Sequence, residues 1–157
     1  MVDFTGKSLQ ETYAPNNACF GCGPANPKGL RIRSFADGDQ VICEWMPEPH
    51  HEAFPGVLNG GIVGSLLDCH SNWTAIWHLM RLCKLEQAPA MVTMEYSVHL
   101  RRPTPTDQPL RLIAWAIETD GDIVTVESEL HAGDRLCDRG LGKFVAVKPG
   151  HPAHYRW

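Results

Sequence analysis

Phe54-Pro55-Gly56-Val57-Leu58-Asn59-Gly60-Gly61-Ile62-Val63-Gly64-Ser65-Leu66-Leu67-Asp68 decides how this chain is read. A Pro-Gly turn leads to a Gly-Gly pair, which opens a long apolar segment with one carboxylate after about two turns. Ile62, Val63, Leu66, Leu67, Cys69, Trp73, Ile76, Trp77 and Met80 cover most of the circumference of a helix over residues 60–82. A helix apolar on nearly all sides is surrounded by protein. Glycine admits close approach to a ligand, and a helix start offers unpaired N–H groups with a positive dipole end. That combination suits a carbonyl oxygen gaining negative charge. Asp68, inside the apolar segment, is costly unless paired or used. The two features together predict a carbonyl-polarising site with a carboxylate beside it.

Outward from this helix the pattern is that of strands. Leu30 to Phe35 alternates apolar and polar residues, and Asp37-Gly38-Asp39 turns into Val41-Ile42-Cys43-Glu44-Trp45, which predicts a hairpin. Residues 47–58 read as a loop. Beyond the helix, residues 91–101 alternate, with Val92, Met94, Tyr96, Val98 and Leu100 on one face and Thr93, Glu95, Ser97, His99 and Arg101 on the other. Asp120-Gly121-Asp122 and Ala132-Gly133-Asp134 divide the remainder into strands over residues 109–119, 123–131 and 135–147. The order β-β-α-β-β-β-β predicts an α+β fold, a curved antiparallel sheet wrapped around one long central helix. Residues 1–29 read as an N-terminal extension with a short helix near Ser8–Tyr13, residues 30–148 as the single domain, and 149–157 as a C-terminal tail.

The chain has 157 residues, 43% hydrophobic and 20% charged, which fits one domain with a substantial core. A formal net charge of −4 offers no broad basic surface, so no nucleic-acid partner is expected. No signal pattern opens the chain and no apolar run reaches the ~20 residues of a membrane span. A cytoplasmic protein with reduced cysteines follows as the expectation. Cys43, Cys69 and Cys83 read as small core residues. Cys19 and Cys22 form a C-x-x-C, a pattern shared by zinc half-sites and redox pairs. Zinc takes four ligands, and no second C-x-x-C or His-x-x-x-His follows. The pair therefore reads as a structural turn, and no metal is expected.

The pattern Pro55-Gly56-x-x-Asn59-Gly60-Gly61 with Asp68 nine positions after Asn59 resembles the hotdog-fold thioesterases, in particular the phenylacetate-pathway (PaaI-like) group. Further parts of the resemblance are Cys19-Phe20-Gly21-Cys22-Gly23-Pro24-x-Asn26-Pro27-x-Gly29-Leu30, Leu100-Arg101-Arg102-Pro103-Thr104-Pro105 and Gly142-Lys143-Phe144-Val145-Ala146-Val147, so that it spans residues 19–147. The resemblance implies hydrolysis of an acyl-CoA thioester, a homodimer or homotetramer with sites at the subunit boundary, and no cofactor beyond the coenzyme A of the substrate. It also implies that Asp68 is the catalytic carboxylate, as general base or nucleophile, and that the Gly60 amide polarises the thioester oxygen. Thr93 matches a Ser/Thr that orients water in some of these enzymes. Asn59 stands where many relatives have His, so its role would be orientation or oxyanion contact rather than proton transfer.

Other residues take lesser parts. Gly61 continues the turn, His51 is a candidate pocket wall, and Arg101 and Arg102 are candidates for the coenzyme A phosphates, or solvated arginines at a strand end. His70 lies about 200° around the helix from Asp68, so the two share no face within one chain. It reads as a core histidine or a pocket contact. No Walker-type or Rossmann fingerprint occurs. The alternatives to a thioesterase are a non-catalytic acyl-CoA-binding module and a hotdog-type acyl-thioester hydratase or dehydratase; Asp68 argues against the first and the Asn-Gly-Gly turn against the second.

Overall fold

The long helix forms where its pattern predicts. In the computed structural model, which describes residues 1–157, helix α2 runs Gly60–Leu82. It follows helix α1 (Leu9–Tyr13) and strands β1 (Phe35–Asp37), β2 (Gln40–Trp45), β3 (Glu52–Phe54) and β4 (Val57–Leu58). After it come β5 (Met91–Leu100), β6 (Leu110–Asp120), β7 (Ile123–Ala132) and β8 (Arg135–Ala146). Asn59 caps α2 at its start, and the helix ends where Lys84 turns left-handed (φ 53°) and the Leu85 amide reaches back to the Met80 carbonyl. No helix is long and apolar enough to cross a membrane.

Six strands form one antiparallel sheet in the order β1-β2-β6-β7-β8-β5, and α2 packs across β5 to β8. Val63, Leu66, Leu67, Trp73 and Ile76 meet Leu110, Leu112, Val124, Val126, Leu130 and Phe144 in the core. This is the hotdog arrangement. The helix is not enclosed on every side: Ser65, Asp68, Cys69 and Asn72 are only partly buried. Those residues form its polar edge.

Three local expectations change. The first hairpin is shorter than its alternation suggests, because residues 30–34 bond elsewhere. Leu30 and Ile32 donate to the carbonyls of Phe20 and Gly21, and the Ser34 carbonyl accepts from Leu9. The segment 1–29 is accordingly folded onto the domain, with Leu9, Ala14 and Cys22 in the core. The loop 47–58 contains a short 3₁₀ turn (Pro49–His51) and the two-stranded β3–β4 sheet.

The third change concerns β5. Thr93 pairs with Phe144 and Tyr96 with Gly142, so three steps along β5 match two along β8. This bulge reverses the side-chain parity of the strand. Before it, Met91 and Thr93 face the helix; after it, Tyr96 and Leu100 do, coming close to Gly64 and Gly60.

Candidate active site

The site is built on α2 and the strand beside it. Asn59 Oδ1 accepts the amides of Gly61 at 2.8 Å and Ile62 at 3.2 Å, the arrangement of a helix N-cap. A Cβ on Gly61 would come within 3.0 Å of that oxygen, so glycine lets the cap close. Asn59 does not cap Gly60, whose backbone is exposed at the helix mouth. The acceptor oxygen expected to orient a substrate is thus engaged in holding the helix.

Two turns on, Asp68 Oδ1 accepts the Thr93 hydroxyl at 2.7 Å. Thr93 makes this bond because it lies before the bulge, on the helix side of β5, apart from Glu95, Ser97 and His99, with which simple alternation groups it. Burial raises the Asp68 pKa above the ordinary carboxylate value; the Thr93 hydrogen bond opposes the rise and nearby Cys19 adds to it. Asp68, Thr93, Asn72 and Asn17 line a cavity of about 130 Å³. A carboxylate of raised pKa, oriented by one hydroxyl and open to a cavity, can take a proton from water near neutral pH.

Gly60 and Asp68 do not lie side by side. Eight residues at 1.5 Å rise separate them by about 12 Å along the helix axis. One carbonyl group cannot touch both within a single chain.

The remaining candidates scatter. His70 is fully buried, with Nδ1 2.9 Å from Ser34 Oγ and Nε2 3.0 Å from the Val41 carbonyl oxygen, so it is a core histidine and not a pocket contact. Burial lowers its pKa to about 4. His51 is buried against Trp45, with ring centroids 5.0 Å apart. Its carbonyl accepts the Asn59 amide at 3.0 Å, so it braces the turn through its backbone. Arg101 and Arg102 are exposed; Arg102 donates to the Leu136 carbonyl at 2.8 Å, and the Arg101 guanidinium has no partner in the chain.

Two groupings were not foreseen. Asp138 is fully buried and accepts the Thr104 hydroxyl at 2.6 Å, while its second oxygen has no partner. Burial raises its pKa, against the Thr104 bond. The Thr104 carbonyl accepts the Leu58 amide at 2.9 Å, which docks the Arg-Arg-Pro turn beside the start of α2. Polar residues facing inward at 104 and 138 were the available signal. The second grouping joins Cys19, Cys22 and Cys69, whose sulfurs all lie within 4.8 Å of one another. Cys69 is thus no isolated core residue. A roomier concavity of about 340 Å³ lies on the outer face of the sheet, among His99, Trp115, Glu127 and Arg139, and touches neither Asp68 nor Gly60.

An antiparallel sheet wrapped around one long helix defines a hotdog-fold protein. Solved structures agree. A thioesterase superfamily protein from Shewanella loihica is 31% identical over 80% of this chain and 98% of its own, with a TM-score of 0.65. The chain belongs to the thioesterase superfamily. A thioesterase from Haemophilus influenzae (19% identity, 80% of this chain and 84% of that one, TM-score 0.66) shares the fold. So does a phenylacetic acid degradation-related protein from Ralstonia eutropha (17%, 80% and 92%, TM-score 0.65). No protein-family model matches the chain, and no curated protein matches it.

Proposed function

We propose that the protein is an acyl-CoA thioesterase, acting in the cytoplasm, whose sites form between two copies of the chain. Water adds to the thioester carbon and the thiol of coenzyme A leaves, giving a carboxylic acid. Asp68 of one copy, held by Thr93, takes the proton from that water or attacks the carbon itself. The Gly60 amide of the facing copy stabilises the oxyanion, with the α2 dipole behind it. Arg101 and Arg102 meet the coenzyme A phosphates. The motif pattern resembles the phenylacetate-pathway group.

The observation that carries this reading is the Thr93–Asp68 hydrogen bond of 2.7 Å, on a carboxylate whose pKa is raised by burial, open to a cavity. Two facts support a second copy. Gly60 and Asp68 are too far apart in one chain, and β5 is a sheet edge ten residues long that exposes Met94, Tyr96 and Leu100. An unpaired edge with apolar side chains favours covering by another strand. A non-catalytic binding module has no use for a half-buried carboxylate oriented by a hydroxyl.

The test is a panel of aliphatic and aromatic acyl-CoAs, with release of free coenzyme A followed by chromatography. Turnover of at least one member, abolished in Asp68→Asn, is the expected result. Equal turnover by wild type and a folded Asp68→Asn would sink the proposal.

A further inference from the structure

The three thiols converge from distant parts of the chain. Cys19 and Cys22 sit on the turn Cys19-Phe20-Gly21-Cys22-Gly23, and Cys69 lies on α2, next to Asp68. Cys19 Sγ and Cys69 Sγ are 3.8 Å apart, and Cys22 Sγ completes a triangle with no side above 4.8 Å. For a tetrahedral ion with metal–sulfur bonds of 2.3 Å, the sulfur–sulfur edge is about 3.8 Å. The turn is shaped for this approach. A Cβ at Gly21 would fall 2.3 Å from Cys69 Sγ, and one at Gly23 would fall 2.4 Å from the Cys19 nitrogen. Glycine at both positions is what lets the third thiol meet the other two.

The surroundings support thiolates. The Trp73 indole N–H donates to Cys22 Sγ at 3.3 Å. Asn17 Oδ1 accepts the Cys19 amide at 3.1 Å and so anchors the start of the turn. All three cysteines line the same 130 Å³ cavity as Asp68 and Thr93, which has room for water.

We propose that Cys19, Cys22 and Cys69 form a three-thiolate site for one thiophilic divalent cation, zinc by its chemistry, with the fourth coordination position open to the cavity beside Asp68. Three soft sulfur donors select such an ion over magnesium or calcium, and three protein ligands with one open position are within zinc's habit. A disulfide would use two of the sulfurs and leave the third without a role. The cation takes the place of the protons on the thiols that bind it. The site stands independently of the thioesterase reading, since its test reads metal and not turnover.

The experiment uses the full chain without a histidine tag, reduced, stripped with a chelator and titrated with Co²⁺ alone. The expected result is one equivalent bound, with a thiolate-to-cobalt charge-transfer band in the near ultraviolet, tetrahedral visible bands, and displacement by Zn²⁺. Cys69→Ser should lose the band and bind more than ~100-fold more weakly, beyond what outer-shell changes cost. Cys83→Ser, an exposed cysteine outside the cluster, should titrate like wild type. If Cys69→Ser does not fold, Cys19→Ser on the partly exposed turn removes a ligand of the same cluster. Absence of a thiolate band in reduced wild type overturns the site, as does an unchanged titration in a folded cluster variant.

Discussion

Thr93 donates to Asp68, and that single hydroxyl holds the carboxylate toward its cavity. Asp68→Asn keeps the shape and removes the carboxylate proposed to act on water or the thioester, so thioester hydrolysis should fall by ~10²-fold or more with the melting temperature little changed. Thr93→Val, nearly isosteric, should reduce kcat by a smaller factor, read in the same assay. His70 tests the core rather than the site. Its pKa is about 4 in the fold and near 6.5 when unfolded, so between these values the unfolded chain binds the extra proton. Stability contributed by neutral His70 is therefore present above about pH 6.5 and is lost as pH falls toward 4, by about 3 kcal/mol. Urea unfolding from pH 4 to 8 should show this slope in wild type and a flatter one in His70→Gln; equal slopes would refute it.

Helix α2 carries Gly60 at its first position and Asp68 two turns on. Because Asn59 caps it through two amides, Asn59→Ala should lower stability by about 1 kcal/mol, or about 2–4 °C in melting temperature for a domain this size. A loss of turnover with unchanged melting would instead return Asn59 to the reacting groups. Gly60 is the first helical residue, where proline is well accepted; it removes the N–H and adds a Cβ 3.2 Å from the end of the Leu100 side chain, which must yield by a few tenths of an ångström. Gly60→Pro should accordingly fold with near-normal circular dichroism and lose ~10²–10³-fold in kcat, the scale of one oxyanion donor. Strand β5 brings the other half, and its bulge between Thr93 and Glu95 decides which side chains reach the helix. Alternation read from sequence put Thr93 with Glu95, Ser97 and His99; one extra residue in the strand reverses that assignment.

At the scale of the molecule, the proposed function needs two copies of the chain, because Gly60 and Asp68 stand about 12 Å apart along the helix axis. Light scattering should give at least a dimer at micromolar concentration. If each site combines Gly60 of one copy with Asp68 of the other, mixing Asp68→Asn with Gly60→Pro chains restores one intact site per mixed dimer. Random pairing then yields about a quarter of wild-type activity, whereas sites contained within one chain would give none.

Much of this protein was legible in its sequence because the signals are local. The period of apolar residues over 60–82, the Asp-Gly-Asp and Ala-Gly-Asp turns, and the lone carboxylate of Asp68 all act within a few residues of themselves. Those features settled the helix, the last three strands and the class of fold. What depends on partners far along the chain was not legible. Residues 30–34 leave the hairpin for carbonyls and side chains of the N-terminal segment, a choice made by competing hydrogen bonds. The inward turn of Thr93 follows from a bulge that is set by pairing with β8. The meeting of Cys69 with a turn fifty residues earlier rests on two glycines that yield space only once the chain is folded. Periodicity reports what a segment does to itself; register and close approach are decided between segments, and only the tertiary structure brings those together.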